Sequence, residues 1–392
     1  MVLQSREASN MMRICLLILA YWASIVLMDA FVGSPFPQPN ISLQTTEATS
    51  CRISFRIGNP PNVLRVAEGK RIEPAKVPNY RSKITGMKFV RIKAGKFQMG
   101  STPEEIRSVN EQINDKIATL VIEDEQIHEV TITQDYLLGE YEVTRGQYRK
   151  FVEGSGYRTE GEVDGKGGKG WNAEKMASEV NAKYTWRDPG FPQTDEHPVV
   201  EVSWNDAVAF CNWQSRQDGL PESYRKVAGE WELVVKPLGY RLPTEAEWEC
   251  ACRAGSLARF SFGKNDEDLA KYGNVADASY NESTGRNKKW CIKADDGYGF
   301  TAPVGRFRAN AWGLYDMHGN VWEWCGDCYC RYNVKSKNID PFQSSEKAIA
   351  KRVLRGGCWS CLSWSCRSAF RARNSPVMRM SFYGFRVCLT AP

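Results

Sequence analysis

The sequence predicts an α+β fold with little regular secondary structure. Four helix starts carry capping signals, and three short segments alternate apolar and polar residues as half-buried strands do. The 32 Gly and 13 Trp are high counts, and the glycines fall in pairs and clusters between short apolar runs, which favours a loop-rich fold over a helical bundle. With 392 residues, 42% of them hydrophobic and 25% charged, the composition excludes a disordered or fibrous protein.

The charge balance gives little support to a nucleic-acid partner. Lys and Arg number 52 against 46 Asp and Glu, and the surplus of +6 is spread along the chain instead of forming a basic block. We therefore expect no nucleic-acid groove.

The amino-terminal segment is typical of an exported protein. Arg6 and Arg13 precede an uncharged apolar stretch from Ile14 to Met28. We expect residues 1–33 to be a signal peptide or a membrane anchor, and the protein to be extracytoplasmic: secreted, periplasmic or membrane-anchored. Thiols tend to pair in such a compartment, but twelve of the 13 cysteines remain once Cys15 is set aside with the targeting segment, so parity does not separate paired from functional thiols.

Composition divides the rest of the chain in two. Residues 34–85 are rich in Pro and Arg with weak periodicity and are predicted to be a linker or an irregular extension. No repeat of fixed period and no charge block divides residues 86–392, which we therefore expect to form one domain.

The four helices are predicted from residues that cap a first turn. In each, a hydroxyl residue stands three positions before a residue able to complete a capping box, and a glycine follows three of the predicted helices. The pairs are Thr102 with Glu105, Thr144 with Gln147 (ending at Gly154), Ser203 with Asp206 (Ala207 to Arg216, ending at Gly219) and Thr244 with Glu247 (Glu245 to Arg253, ending at Gly255).

The predicted strands are Lys88–Ile92, Glu129–Thr133 and Tyr383–Val387, each alternating apolar and polar residues. The glycine-rich segment from Gly161 to Gly170 follows no hydrophobic strand and lacks the Lys-Ser or Lys-Thr ending of a phosphate-binding loop. We interpret it as a mobile surface loop.

Seven motifs between Gly86 and Thr390, in order, resemble those of the formylglycine-generating enzyme (sulfatase-modifying factor) family. They are Phe97-Gln98-Met99-Gly100-Ser101, Glu140-Tyr141-Glu142-Val143-Thr144, His197-Pro198-Val199-Val200, Tyr240-Arg241-Leu242-Pro243-Thr244-Glu245-Ala246-Glu247-Trp248-Glu249, Gly319-Asn320-Val321-Trp322-Glu323-Trp324, Arg352-Val353-Leu354-Arg355-Gly356-Gly357 and Gly384-Phe385-Arg386. The resemblance implies one compact domain, distantly like a C-type lectin and stabilised by calcium. It also implies an oxidase that converts a cysteine within Cys-x-Pro-x-Arg of an unfolded sulfatase, or a cysteine of another protein substrate, to Cα-formylglycine using molecular oxygen.

Two calcium sites follow from the matched positions. Calcium prefers six to eight hard oxygen ligands, which loops supply from carboxylates and backbone carbonyls. The resemblance implies one site from the Asn274 and Asp296 side chains and the Val275 and Tyr298 carbonyls. It implies a second site made by the side chains of Asp316 and Glu323 and the carbonyls of Gly319 and Val321.

The resemblance also implies a copper(I) site made by two cysteines. Counted from Gly357, Cys361 and Cys366 fall on the two copper-binding positions, with Trp322 and Cys358 lining the pocket. Soft thiolates select Cu(I), and two of them leave room for a substrate sulfur. Five residues of extended strand would hold two sulfurs roughly 16 Å apart, so the pair requires a bent loop.

Several features of this segment leave alternatives open. Counted backward from Arg371, the segment is about three residues shorter than in active family members, which moves Cys366 off its position. In that register the resemblance implies that Cys366 is structural and forms a disulfide with Cys252. It likewise implies a partner for Cys211 near the carboxyl end, where Cys388 lies one place beyond the expected position. Cys358 also replaces the usual serine, and Leu362 replaces the usual histidine.

Other classes of function remain as hypotheses. Cys358-x-x-Cys361 and Cys325-x-x-Cys328 are candidates for a zinc ribbon or a redox pair, although their separation is longer than usual for a ribbon. The protein could also be a non-catalytic, calcium-stabilised binding module with an aromatic surface. A related iron-dependent branch would require a histidine cluster, which the three widely spaced histidines, His128, His197 and His318, do not suggest.

Overall fold

The structure, a computed structural model, describes residues 80–113, 123–286, 291–334, 337–344 and 350–391. The predicted signal or anchor segment and most of the predicted linker lie outside these ranges. Among the described residues, no helix is both long enough and apolar enough to cross a membrane.

Seven α-helices lie within the described residues. They are α1 (Pro103–Ile113), α2 (Arg145–Ser155), α3 (Glu160–Val163), α4 (Trp204–Gln217), α5 (Glu245–Arg253), α6 (Leu269–Tyr272) and α7 (Ala278–Thr284). Short 3-10 helices span Glu123–Glu125, Asp266–Asp268 and Ser363–Cys366.

The strands in the same ranges are short. They are β1 (Tyr80–Arg81), β2 (Lys88–Ile92), β3 (Gly95–Met99), β4 (His128–Ile132), β5 (Tyr136–Gly139), β6 (Gly168–Asn172), β7 (Ala177–Asn181), β8 (Tyr224–Val227), β9 (Glu230–Leu233), β10 (Trp322–Cys328), β11 (Asn338–Ile339), β12 (Arg352–Arg355), β13 (Ala372–Asn374), β14 (Tyr383–Gly384) and β15 (Cys388–Thr390). The predicted α+β class with little regular secondary structure is confirmed.

The helix starts form as the sequence predicts. Thr144, Ser203 and Thr244 each make a complete capping box with the predicted partner, and Thr102 Oγ1 accepts from the Glu105 amide at 3.2 Å. The predicted end of α2 is wrong by two residues: the left-handed residue that ends the helix is Gly156, with φ 67°, and not Gly154. Gly154 stays helical and lies against the ring of Trp213, where a Cβ would make an ordinary contact.

Two sheets of four strands organise the domain, with strand orders β1-β2-β5-β15 and β13-β12-β10-β14. A third sheet has the order β11-β4-β3, and β6-β7 and β8-β9 are hairpins. The predicted strand Tyr383–Val387 forms only at its first two residues. The chain passes from the second sheet, where β14 pairs with β10, to the first, where β15 pairs with β5, so residues 385–387 connect the two sheets.

The prediction of a surface loop from Gly161 to Gly170 holds only for residues 164–167 and is wrong at both ends of the segment. Gly168 opens strand β6, which pairs with β7, and Gly161 lies in helix α3. The glycines serve close packing, because a Cβ on Gly168 would lie 1.8 Å from Glu201 Oε2 and one on Gly170 would lie 2.3 Å from the ring of Tyr184.

Buried arginine–carboxylate pairs tie the irregular segments to the regular ones. The fully buried guanidinium groups of Arg355, Arg367 and Arg386 pair with Glu249, Glu125 and Glu323. In such pairs the hydrogen bonds offset the cost of desolvating the charges, and removal of either partner leaves a buried charge uncompensated. The pairs therefore hold the loops in place in a fold whose strands are short and form few backbone hydrogen bonds.

Candidate functional site

Strand β12 leads into a bend that brings three cysteines together. After Arg355 the chain turns through Gly356 and Gly357, with φ 97° and 80°, a region that favours glycine. The Cys361 amide then donates to the Cys358 carbonyl at 2.8 Å, which closes a turn, and the 3-10 helix Ser363–Cys366 follows. The sulfurs of Cys358 and Cys361 lie 3.0 Å apart, and Cys361 packs against the apolar cluster that contains Cys366. The structure thus places the two predicted copper ligands close together.

Solvent reaches one of these three side chains more than the others. Cys361 is half-buried, whereas Cys358 and Cys366 are 1% and 0% exposed. Burial, followed by the hydrogen bond from Cys361, raises the pKa of the Cys358 and Cys366 thiols well above the ordinary value. An incoming sulfur would therefore meet Cys361 first.

The predicted pocket residues lie in the same apolar cluster. Trp322, on β10, and Cys358 both belong to the larger hydrophobic core, against which Cys361 and Trp364 pack. The Trp322 ring centroid lies 5.8 Å from that of Phe370. The bend therefore packs on an apolar cluster that includes these rings.

His318 supports the bend, a role that the sequence did not reveal. It is 1% exposed, and its Nε2 accepts from the Ser261 amide at 3.1 Å, so in the neutral ring the proton is on Nδ1. Nδ1 lies 2.9 Å from the Cys366 carbonyl oxygen and donates to it. The Asp-x-His-Gly sequence around His318 gave no periodicity or spacing signal for this contact, which joins residues 48 positions apart.

The alternative in which Cys366 bridges Cys252 is not what the structure contains. Both are thiols, and Cys252 Sγ instead lies 3.6 Å from the Met317 carbonyl oxygen and from Ser368 Oγ. Cys211 and Cys388 are likewise buried thiols, and Cys388 Sγ donates to Glu247 Oε2 at 3.7 Å.

The zinc-ribbon and histidine-cluster alternatives also find no support in the described ranges. The described ranges contain no group of three or more His, Cys, Asp or Glu side chains arranged to hold a metal ion. Cys325 lies on β10 in a different apolar cluster from Cys358. His128 is on β4 against Tyr332, and His197 hydrogen-bonds to Thr194.

The first predicted calcium site is rich in oxygen and acidic. Asn274 Nδ2 donates to the Phe300 carbonyl at 2.7 Å, which leaves its buried Oδ1 without a hydrogen-bond partner. Asp296 accepts from the Val275 and Tyr298 amides at 2.8 and 2.9 Å, so it lies beside both predicted carbonyl ligands. Burial, and then the nearby carboxylate of Asp277, raise the pKa of Asp296 to about 8. This donor set fits a hard cation, which would relieve both the unpartnered oxygen and the repulsion.

The second predicted calcium site fits less completely. Both oxygens of Glu323 accept from Arg386 at 2.6 Å, so a cation would have to share them. Asp316 Oδ1 is buried without a hydrogen-bond partner, and so is Oε2 of Glu142, a residue that the sequence analysis did not assign to the site. Burial and repulsion from Asp316 raise the pKa of Glu142 well above its ordinary value. The negative charge here exceeds what Arg386 alone balances.

A groove of about 570 Å³ opens near the cysteine bend, on the other side of an aromatic layer. Its walls include Trp171 and Phe191, with the cationic side chains of Arg145, Lys183 and Arg187 and the acidic ones of Glu174 and Asp188. The Phe191 ring lies 5.8 Å from that of Trp359, the residue that follows Cys358. The groove is therefore connected to the bend by packed rings.

Comparison with known proteins identifies relatives over most of the chain. Residues 74–391 match the model of the sulfatase-modifying factor enzyme 1-like domain. A formylglycine-generating enzyme of Bos taurus is 30% identical over 337 residues, which cover 80% of this chain and 77% of that protein. An inactive Cα-formylglycine-generating enzyme 2, also of Bos taurus, is 28% identical over 76% of this chain and 86% of its own length. Among solved structures, PvdO from Pseudomonas aeruginosa aligns with a TM-score of 0.59 and 27% identity over 81% of this chain and all of that one.

Proposed function

The chain belongs to the sulfatase-modifying factor enzyme family, and on that premise we propose that it oxidises a cysteine of a protein substrate to Cα-formylglycine with molecular oxygen. The substrate segment would be Cys-x-Pro-x-Arg of an unfolded sulfatase. The proposal rests chiefly on the bend that gathers Cys358, Cys361 and Cys366 and leaves Cys361 half-buried.

The residues of the bend suit copper(I) by their chemistry. Cys361 and Cys366 offer two soft sulfurs from neighbouring turns of one segment, and both would hold the ion. Copper(I), when bound, would supply one-electron chemistry toward molecular oxygen. Because both thiols must lose protons to bind, uptake of the ion would release protons.

The remaining side chains would position the substrate and exclude water. Cys361 is the half-buried one of the three cysteines, so the substrate sulfur would approach beside it, and the buried Trp322 and Cys358 would line the pocket. His318 would hold the backbone of Cys366 through its carbonyl. In the overall reaction the side chain of the substrate cysteine becomes an aldehyde, and its sulfur leaves as hydrogen sulfide. One oxygen atom enters the aldehyde, and the other leaves as water on two electrons and two protons from an external thiol pair, which becomes a disulfide.

Calcium would brace the loops that carry the site. We propose a calcium ion at Asn274, Val275, Asp296 and Tyr298, and a second at Asp316, Gly319, Val321 and Glu323. The unpartnered oxygens of Asn274 and Asp316 support both assignments. We further propose that the protein works outside the cytoplasm, as the apolar stretch from Ile14 to Met28 suggests.

The test is turnover of a Cys-x-Pro-x-Arg peptide by the purified full chain, loaded with copper(I) and supplied with a thiol reductant in air-saturated buffer. Mass spectrometry should detect the aldehyde. We expect Cys361→Ser and Cys366→Ser each to lower the rate by ~100-fold or more, because loss of even a residue supporting a metal ligand costs about 10–100-fold. Cys330→Ser, an exposed cysteine outside the bend, is the matched control and should keep the wild-type rate. Absence of turnover in copper-loaded wild type, or full turnover in Cys361→Ser, contradicts the proposal.

A non-catalytic binding module is the second candidate, favoured by the groove beside Trp171 and Phe191. In that case the protein would bind a peptide or glycan at the groove without changing its mass. Alanine at Trp171 would then weaken binding, whereas Cys361→Ser would leave it unchanged.

A further inference from the structure

We propose that Cys358 and Cys361 form a reversible disulfide that switches off the cysteine site. The regulatory part of this inference rests on the proposed function, because the disulfide would withdraw Cys361 from the pair that it makes with Cys366. The disulfide itself follows from the geometry of the bend.

The backbone places the two cysteines within bonding reach. The 2.8 Å hydrogen bond from the Cys361 amide to the Cys358 carbonyl closes a four-residue turn. The ends of such a turn lie less than about 7 Å apart, and disulfides join Cα atoms roughly 4.4–6.8 Å apart. Because the turn is already closed, little chain entropy remains to be lost when the bond forms.

The sulfurs are closer than two ligands of one ion. Their separation is 3.0 Å. Two sulfurs bound to one tetrahedral metal at about 2.3 Å would lie ~3.8 Å apart, whereas a disulfide bond measures about 2.05 Å. A closing movement of about 1 Å therefore makes the bond. Cys366 is held in its own position, because its sulfur packs on Gly357 and its backbone carbonyl accepts a hydrogen bond from His318. It therefore does not take part in this movement.

Exposure sets the order of the chemistry. A small-molecule disulfide such as oxidised glutathione would reach the half-buried Cys361 before the 1% exposed Cys358. The Cys361 sulfur attacks the external disulfide, forms a mixed disulfide and releases one glutathione thiol. The Cys358 sulfur then attacks Cys361 Sγ and displaces the second glutathione thiol. In total, two protein thiols are oxidised to one disulfide, and one external disulfide is reduced to two thiols.

The experiment uses the purified full chain, equilibrated with reduced and oxidised glutathione at a series of ratios, quenched with acid and alkylated. Trypsin cleaves after Arg355 and Arg367, so the three cysteines leave in one peptide, residues 356–367. At reducing ratios we expect three alkyl groups on this peptide. At oxidising ratios we expect one alkyl group, which fragmentation should locate on Cys366. Apart from that group, the peptide should be two hydrogens lighter than the fully reduced peptide, because Cys358 and Cys361 are joined.

Two variants sharpen the assignment. Cys366→Ser should still lose both remaining alkylation sites on oxidation, because the Cys358–Cys361 bond does not require it. Cys358→Ser should instead keep glutathione attached to Cys361. A Cys361–Cys366 disulfide in wild type, or three alkyl groups at every ratio, would overturn the proposal.

Turnover of the Cys-x-Pro-x-Arg peptide, measured on the same wild-type samples in copper-loaded form, separates the two proposals. We expect activity to fall in proportion to the disulfide. If the disulfide forms but the reduced protein has no activity, the oxidase is contradicted and the disulfide stands. If activity persists while the disulfide is complete, the switch is wrong and the oxidase stands.

Discussion

His318 donates a hydrogen bond from Nδ1 to the backbone carbonyl of Cys366 at 2.9 Å. The proton is fixed on Nδ1 because Nε2 accepts from the Ser261 amide. A side chain that is 1% exposed and 48 positions away in sequence thus holds the end of the cysteine bend. The metal ligands proposed for this bend depend on a neighbour that binds no metal itself.

Replacement of His318 should loosen Cys366 in particular. His318→Ala removes a hydrogen bond worth roughly 1 kcal/mol and leaves two buried groups without partners, so we expect a loss of about 1–3 kcal/mol in the free energy of unfolding. We also expect faster alkylation of Cys366 relative to Cys330. His197→Ala, at a half-buried histidine remote in sequence from the bend, is the control and should leave the Cys366 rate unchanged. Urea unfolding and peptide mass measure both effects, and an unaltered Cys366 rate in His318→Ala would show that the contact does not position the cysteine.

Calcium at the first site should stabilise the fold through Asp296. Binding to the folded state alone adds about 2.7 kcal/mol when free calcium is ~100 times its Kd. We expect a chelator to lower the wild-type Tm and Asp296→Asn to remove most of this response. Asp295→Asn is the neighbouring control, because Asp295 is exposed and accepts from Ser279 and Gly297. A thermal scan with and without calcium decides the matter: a chelator response that survives in Asp296→Asn would contradict the assignment.

Glu201 should make the protein less stable as the pH rises. It is 2% exposed at a left-handed φ of 58°, and burial raises its pKa to about 8, against the attraction of Arg379. The folded state therefore holds a proton that the unfolded chain releases near its ordinary pKa of about 4.5. The stability contributed by this proton is complete below about pH 4.5 and is lost as the pH rises through about 8.

Glu201→Gln keeps the shape without the ionisation. We expect the variant to gain stability relative to wild type as the pH is raised from 5 to 8. The gain should be a few kcal/mol at most, because a pKa shift of one unit corresponds to about 1.4 kcal/mol. Denaturant unfolding at several pH values measures the difference. A constant difference between the two proteins across this range would mean that Glu201 does not carry the proton.

Buried charge pairs should contribute far more to the free energy of unfolding than exposed pairs do. Glu249 accepts from Arg355, from Arg253 at 2.8 Å and from the Gly100 amide at 2.7 Å, all within the core. Glu249→Gln leaves guanidinium charge uncompensated, so we expect a loss of about 3–5 kcal/mol. Glu129→Gln breaks the exposed pair with Lys96 and should cost ~0–1 kcal/mol. Equal losses in the two variants would contradict the role given to the buried pairs.

Local signals in the sequence predicted local structure well. The helix starts at Thr144, Ser203 and Thr244 formed with their capping partners, because the partners lie within one turn. The contacts of the site are long-range, and sequence spacing carries no information about them. His318 and Glu142 were missed for that reason, and Gly168 was assigned to a loop because only its packing on Glu201 explains a glycine inside a strand.

Gly357 sets how closely the cysteine bend can pack. Its φ is 80°, and a Cβ there would lie 2.4 Å from Cys366 Sγ, so alanine would both strain the backbone and displace the sulfur. Gly313 has nearly the same backbone, with φ 87°, but a Cβ would meet nothing within 4 Å. We expect Gly313→Ala to cost about 1–2 kcal/mol from the left-handed conformation alone.

Comparison of the two variants isolates the contact with Cys366. Gly357→Ala should cost more than Gly313→Ala by about 1–3 kcal/mol, the usual cost of overpacking, and should speed alkylation of Cys366, whereas Gly313→Ala should leave that rate unchanged. Because the backbone strain is common to both, any excess loss in Gly357→Ala reports the displaced sulfur. Equal unfolding free energies and equal alkylation rates would mean that Cys366 does not rest against Gly357.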